Sequence, residues 1–159
     1  MGAYADELKK LSIPVTSSSD CEASISKEIQ FLTSLVKVVN NPLIDIPLIS
    51  VLISPVFGFT PDELSQIRMI NRKADFYVCL SEYSKENKKA KDFLDKIQFY
   101  RNISATYPID EFVRFVVNDT AVADIYYAAG EGDIRNANIK GFLKLSKDFC
   151  DSGRKGLSD

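Results

Sequence analysis

The residues best suited to bind a ligand form a short apolar loop that leads directly into a predicted helix. It reads Pro55-Val56-Phe57-Gly58-Phe59-Thr60. The first amides of a helix lack partners inside the helix, and the positive end of the helix dipole attracts anions. Gly58 would let another backbone approach closely. This 55–60 loop is therefore a candidate phosphate site. In the alternative interpretation, Phe57 and Phe59 only fill the core and the Thr60 side chain occupies the free amides.

Three basic residues follow the loop: Arg68, Arg72 and Lys73. Arg68 and Arg72 are four residues apart, a spacing that places two side chains on one face of a helix. We expect all three to neutralise phosphates if the loop meets a nucleic-acid backbone. Such contacts are independent of base sequence and weaken with salt. The alternative is that they are ordinary surface charges.

Residue content excludes several kinds of catalytic site. The 159 residues include no histidine, which removes imidazole-dependent triads and His-ligated zinc. No GxxxxGK[ST] motif is present, so the chain has no P-loop. Gly130-Glu131-Gly132 lacks the third glycine of a dinucleotide loop, and Asp62-Glu63 follows Thr60-Pro61 rather than the strand of a Walker B motif. We expect no catalytic residue, metal or cofactor in this chain.

Cysteine spacing and charge indicate a cytoplasmic protein that does not bind polyanions over its whole surface. Cys21, Cys79 and Cys150 form no CxxC pair, and scattered thiols are typical of a reducing compartment. Basic and acidic residues number 20 and 22. The one strong basic cluster, residues 85–91, is interpreted as the solvated start of a helix. Residues 43–59 are apolar, but Asp45 and two prolines within them argue against a membrane span.

Apolar residues recur at helical spacing along most of the chain. Pro42 ends the first long helix, because the residue before a proline avoids the α region. Thr60 and Glu63 have the spacing of a capping box, with Pro61 at the first helical position. Helices are predicted over residues 25–39, 46–53, 61–71, 75–82, 85–105, 110–117, 121–129 and 133–150.

These elements predict an all-α fold, an orthogonal array of about seven or eight helices with one possible short strand near residues 13–17. Asp45 is expected to cap the second helix, and Asp119 or Thr120 the seventh. The predicted core includes Ile70 near the end of the third helix. Along the last helix it includes Ile134, Ala137, Ile139, Phe142 and Leu145.

Two runs of sequence carry a family resemblance. The first is the ordered run Asn41-Pro42-Leu43-Ile44-Asp45-Ile46-Pro47-Leu48, continued from Val51 to Thr60, and the second is Arg135-Asn136-Ala137-Asn138-Ile139. Together they resemble the A subunit of the bacterial AddAB helicase/nuclease, within the UvrD/RecB-type ATP-dependent helicases. The likeness covers nearly the whole chain.

The resemblance implies a fragment of a longer enzyme that acts in double-strand break repair and recombination. Residues 1–20 would be the tail of a motor domain, and residues 21–159 a helical accessory domain of the type called 2B. The longer enzyme would bind ATP and magnesium, whereas this fragment would bind neither and catalyse nothing. Implied partners are double-stranded DNA, other domains of the parent chain and the B subunit of the complex, with no membrane.

In related helicases, a Gly-x-Gly loop of this subdomain touches the backbone of the duplex ahead of the fork. The 55–60 loop stands at that place, with Thr60 instead of the second glycine. The residues that the resemblance implies as contacts to the DNA backbone are Phe57, Gly58, Phe59, Thr60, Arg68, Arg72 and Lys73. The alternative hypothesis is a helical protein–protein interaction module without a DNA role, which the near-neutral charge favours.

Overall fold

The computed structural model describes residues 26–153. Within this span the chain forms eight α-helices and no strand, which confirms the all-α prediction for the described residues. The strand expected near residues 13–17 and the tail of residues 1–20 lie outside them. The helices are α1 (Lys27–Asn40), α2 (Asp45–Ile53), α3 (Pro61–Ile70), α4 (Phe76–Tyr83), α5 (Lys88–Ser104), α6 (Ile109–Asp119), α7 (Val122–Ala128) and α8 (Gly132–Asp151).

The first helix, α1, is the centre of the core. It packs against α2, α5, α7 and α8. Its buried apolar residues follow helical spacing and form one broad face, which also carries the buried Glu28. They are Phe31, Leu32, Leu35, Val38 and Val39. The remaining helices pack on these neighbours: α3 against α4, α4 against α2 and α5, and α6 against α5, α7 and α8.

Asp45 does not cap α2, so that prediction is wrong. Ile44 occupies the N-cap position and makes no side-chain cap bond. The Asp45 carboxylate instead accepts a hydrogen bond from the Phe76 amide (2.9 Å) and one from Arg68 Nη2 (3.1 Å). The side chain thus joins the start of α2 to the start of α4 and the end of α3, and these tertiary partners replace the local cap.

The predicted cap of α7 is also wrong. Ala121 is at the N-cap, in the left-handed region with φ of 49°, and supplies no side-chain cap. Asp119 accepts a hydrogen bond from the Tyr100 hydroxyl (2.6 Å) and pairs with Lys96 (3.1 Å). Thr120 Oγ1 donates to the Val116 carbonyl at 2.7 Å, so it closes α6 rather than opening α7.

The predicted core is only partly correct along α3 and α8. Ile139 is buried and Phe142 is packed against the core, as expected. Ile70, Ile134 and Leu145 are 47%, 61% and 64% exposed, and Ala137 is exposed too. The prediction that these four residues face inward rests on their apolar character and near-helical spacing, which do not distinguish the two sides of a helix. In α8 the exposed Ile134, Ala137 and Leu145 form a second apolar face that no described element covers.

Candidate functional site

The loop before α3 ends in the predicted capping box. The Thr60 amide donates to Glu63 Oε2 at 2.7 Å, and the Glu63 amide donates to Thr60 Oγ1 at 3.2 Å. The hydrogen bond from the Thr60 backbone, and then the Lys89 ammonium, hold the pKa of Glu63 below its usual value. Two of the amides that could receive an anion at this helix start are therefore already satisfied.

The amides of the other three contact residues proposed within the loop also donate within the chain. Those of Phe57 and Gly58 donate to the Ser54 carbonyl (3.2 and 2.7 Å), and that of Phe59 donates to the Leu52 carbonyl at 2.9 Å. Gly58 has φ of 62°, a conformation that glycine adopts without strain. A phosphate bound through these amides would have to displace existing hydrogen bonds. The geometry therefore supports the alternative in which the amides are used internally.

Both phenylalanines of the loop anchor it to the core. Phe59 is 3% exposed, and the Phe57 ring stands edge-on to Phe93 of α5 with 4.8 Å between centroids. The centroid of the Phe57 ring also lies 6.3 Å from that of the Phe31 ring on α1. Such aromatic pairs fix a loop by burial and by favourable edge-to-face geometry. The exposed surface of the loop is consequently made by Pro55, Gly58 and Thr60.

Sequence reasoning missed Lys89, which fastens α5 to this loop. Its Nζ lies 2.8 Å from the Gly58 carbonyl oxygen and 2.9 Å from Glu63 Oε2. The same ammonium stands 4.4 Å from the centroid of the Phe59 ring, within the range of a cation–π contact. Within the basic cluster of residues 85–91, nothing in the sequence distinguishes Lys89 from its neighbours. Only the approach of α5 to the loop selects it.

A groove of about 550 Å³ lies between the loop and α5. It is lined by Lys88, Lys89 and Lys96 together with Asp92 and three phenylalanine rings. Lys89 is paired with Glu63, and Lys96 with Asp119. Counting Asp92 with these two carboxylates, three acids balance three lysines. The groove therefore has little net charge with which to attract a phosphate.

The three basic residues predicted to contact phosphates, Arg68, Arg72 and Lys73, have different surroundings in the structure. Arg68 pairs with Asp45 and donates to the Ala74 carbonyl at 2.7 Å, so it holds the turn after α3 in place. Arg72 and Lys73 lie in that turn and are exposed. Because α3 ends at Ile70, the expectation that Arg68 and Arg72 share a helix face is wrong.

The candidate residues thus form two groups at opposite ends of α3. The loop is at one end and the exposed pair Arg72 and Lys73 at the other. A helix of 10 residues is about 15 Å long. One phosphate cannot meet both groups, whereas an extended backbone could pass both.

Comparison with known proteins finds similarity to one segment of longer proteins. No protein-family model matches the chain. It is 33% identical over 159 residues to the A subunit of the ATP-dependent helicase/nuclease of Acetivibrio thermocellus, an alignment that covers 97% of the chain. The chain is a relative of one segment of the helicase/nuclease A subunit. Proteins of the same name from Clostridium botulinum (strain Alaska E43) and Clostridium novyi are 35% and 34% identical to it, over 96% and 97% of its length.

The similarity confirms the resemblance seen in the sequence. The chain spans about 13% of the length of these A-subunit relatives.

Two residues of the second resembling run, Arg135 and Asn138, both contact the buried Glu28 of α1. In the part of the chain that is described, no helix is long and apolar enough to cross a bilayer.

Proposed function

We propose that this chain is a non-catalytic helical accessory part, of the 2B type, of the A subunit of an ATP-dependent helicase/nuclease. Residues 1–20 would be the tail of a motor domain and residues 21–159 the accessory domain. The observation that carries the proposal is the similarity to helicase/nuclease A subunits over 97% of the chain. The lack of histidine and of a P-loop supports a role that leaves catalysis, ATP and magnesium to the rest of the enzyme.

The role proposed for this part is to hold duplex DNA and neighbouring parts of the enzyme during double-strand break repair and recombination in the cytoplasm. Its partners would be the DNA, other domains of the parent chain and the B subunit of the complex. Purified on its own, the chain is expected to hydrolyse no ATP and to cleave no DNA. Turnover of either substrate would contradict the proposal.

The DNA contact is proposed along the length of α3. Gly58 and Thr60 present the exposed surface at its start, and Arg72 and Lys73 the exposed cations beyond its end. Across about 15 Å a strand of duplex DNA presents about four phosphates, since they rise 3.4 Å each. Phe57 and Phe59 would act by anchoring the loop. Arg68 would act by fixing the turn that carries the two cations.

A salt titration tests this contact. With Arg72 and Lys73 each neutralising one phosphate, the logarithm of the affinity should fall with the logarithm of salt at a slope of about −2. The measurement is fluorescence anisotropy of a labelled blunt duplex, between about 50 and 200 mM salt. Arg72→Glu with Lys73→Glu should remove binding, whereas Lys37→Glu, an exposed lysine on α1, should leave it unchanged. Absence of binding at low salt, or affinity independent of salt, would overturn the DNA role.

A specific surface feature favours the second candidate, a protein–protein interaction module. Helix α2 is apolar almost all round, and helices of that kind are normally buried. Its outer residues Ile46 and Ile53 are nevertheless 82% and 49% exposed. A chain that fails the salt titration would be assigned to this second function.

A further inference from the structure

The outer face of α8 carries a continuous apolar row. Ile134, Ala137, Gly141 and Leu145 follow one another at intervals of three or four residues, the spacing of one helix face. Ile134 is 61% and Leu145 64% exposed, and the two small residues between them are exposed as well. A Cβ added at Gly141 would meet nothing within 4 Å. The row therefore has a notch at its middle, between two large apolar side chains.

A row of lysines runs beside the apolar row. Lys140, Lys144 and Lys147 are spaced four and three residues apart and are exposed. Among the described residues, none of the three takes part in an ion pair. From Ile134 to Lys147 the helix has no carboxylate at all, and its other cation, Arg135, is turned toward Glu28. The lysine row is thus a positive strip without ion pairs among the described residues, and the nearest carboxylates on the helix, Asp148 and Asp151, follow it at its C-terminal end.

The fold does not need this outer face. On the opposite side of α8, Ile139 is buried and Phe142 and Leu143 are packed against the core. These contacts hold α8 against α1, α6 and α7. Leaving an isoleucine and a leucine in water forgoes the stabilisation that burial of each side chain would contribute. The surface is thus apolar and basic without a structural reason inside the described chain.

We propose that the outer face of α8 binds an acidic amphipathic helix of a protein partner. The partner's apolar side chains would cover Ile134 and Leu145, with one entering the notch at Gly141, while its carboxylates would face the three lysines. Charge complementarity selects this occupant. A DNA backbone would pair with the lysines but leave the adjacent apolar row in water. The surface is separate from α3, so it goes beyond the proposed DNA contact and does not depend on it.

The test uses a synthetic helical peptide with leucines on one face, glutamates flanking them and one tryptophan. Because the chain contains no tryptophan, the emission reports the peptide alone. Two control peptides are needed: one of the same composition in scrambled order, and one with lysine in place of glutamate. We expect saturable binding of the acidic amphipathic peptide only, with affinity that falls as salt rises.

Paired variants locate the binding. Lys140→Glu, Lys144→Glu and Lys147→Glu together should weaken binding about tenfold or more, since each replaces an attractive rim charge by a repulsive one. Ile134→Ser with Leu145→Ser should weaken it by a similar factor. The matched controls, Lys37→Glu and Val78→Ser, change an exposed lysine and an exposed apolar residue elsewhere and should have no effect. Far-ultraviolet circular dichroism confirms that each variant is folded.

Several results would overturn the proposal. Equal binding of the scrambled peptide, or no binding of the acidic one, would remove the acidic helix as occupant. Self-association in sedimentation equilibrium that Leu145→Ser abolishes would assign the face to a second copy of the chain. Protection of the three lysines from acetylation by duplex DNA, and not by the peptide, would assign it to nucleic acid. Neither failure nor success here alters the expected effect of the Arg72 and Lys73 substitutions on DNA binding.

Discussion

Arg135 Nη1 lies 3.4 Å from Oε2 of Glu28, across a separation of 107 residues in the chain. Glu28 is fully buried on α1, and its other carboxylate oxygen accepts a hydrogen bond from Asn138 at 2.8 Å. Arg135 also donates from Nε to the Gly130 carbonyl at 2.7 Å. One arginine therefore fastens the first described helix to the last and fixes the turn before α8.

Arg135→Ala should lower the free energy of unfolding by about 3 kcal/mol, because it leaves a buried carboxylate without its cation. For a chain of this length that corresponds to a fall of about 6–12 °C in the midpoint of thermal unfolding. Adding Glu28→Gln to Arg135→Ala should recover part of the loss, since no buried charge then remains. Arg114→Ala, at an exposed position on α6, is the control. A shift no larger than that of the control would show that the pair contributes little.

Acid should unfold the protein through its carboxylates. Burial acts to raise the pKa of Glu28, but hydrogen bonds from Asn138, its own backbone and Ser26, together with the charge of Arg135, hold it below the usual 4.5. The pKa of Asp119 is lowered by the Tyr100 hydroxyl and Lys96, and that of Asp110 chiefly by the Cys150 thiol. The folded state thus binds these protons more weakly than the unfolded chain does.

The sign follows from that difference in proton binding. Each lowered pKa contributes stability that is complete above the unfolded value and is lost as the pH falls through the folded value. Thermal midpoints measured by circular dichroism should therefore be constant above about pH 5 and fall below about pH 4. Glu28→Gln should reduce the slope of that acid limb. An identical slope in the variant would show that Glu28 titrates normally.

Thr60→Ala should cost about 1 kcal/mol of stability, because it removes the acceptor for the Glu63 amide and breaks the capping box. The expected fall in the thermal midpoint is about 2–4 °C. Thr60→Ser keeps the hydroxyl oxygen and should restore most of the loss. If alanine and serine behave alike, the hydrogen bonds of the cap are not the source of the effect.

Two glycine substitutions should change stability in opposite directions. Gly58→Ala should destabilise by about 1 kcal/mol, because a residue with φ of 62° strains any side chain even where space is free. Gly141→Ala, inside α8 and equally open, should stabilise by about 0.5–1 kcal/mol through higher helix propensity. Urea unfolding curves of the two variants and of the unsubstituted chain measure whether each substitution raises or lowers the free energy of unfolding. Equal effects would mean that backbone conformation does not govern them.

Local sequence signals are enough to predict the helices. Every observed helix end lies within three residues of its predicted position. The prediction of the Thr60 capping box is correct because its partners are three residues apart and belong to one turn. The predicted caps Asp45 and Asp119 rest on the same kind of signal, but each has partners 19 to 31 residues away. A short polar side chain meets any donor that the fold brings near it, and the sequence does not reveal which one.

The candidate site shows the same division. The sequence locates the 55–60 loop and the basic residues after α3, but it does not show that the loop amides are already used. Lys89 is hidden in the basic cluster of residues 85–91, since its function depends on the distance between α5 and the loop. The exposure of Ile134 and Leu145 is not predicted, because an apolar residue at helical spacing has the pattern of a core residue whichever way it faces.

The sequence by itself determined the all-helical class, the positions of the helices and the relationship to the helicase/nuclease A subunits, because periodicity, caps and ordered motifs are properties of neighbouring residues. Tertiary structure alone decided which polar groups meet. The packing of the helices gives the loop amides hydrogen-bond acceptors within the chain, pairs Glu28 with Arg135, and leaves one apolar and basic face of α8 exposed to water. Contacts between residues far apart in the chain depend on how helices pack, and no local pattern encodes that geometry.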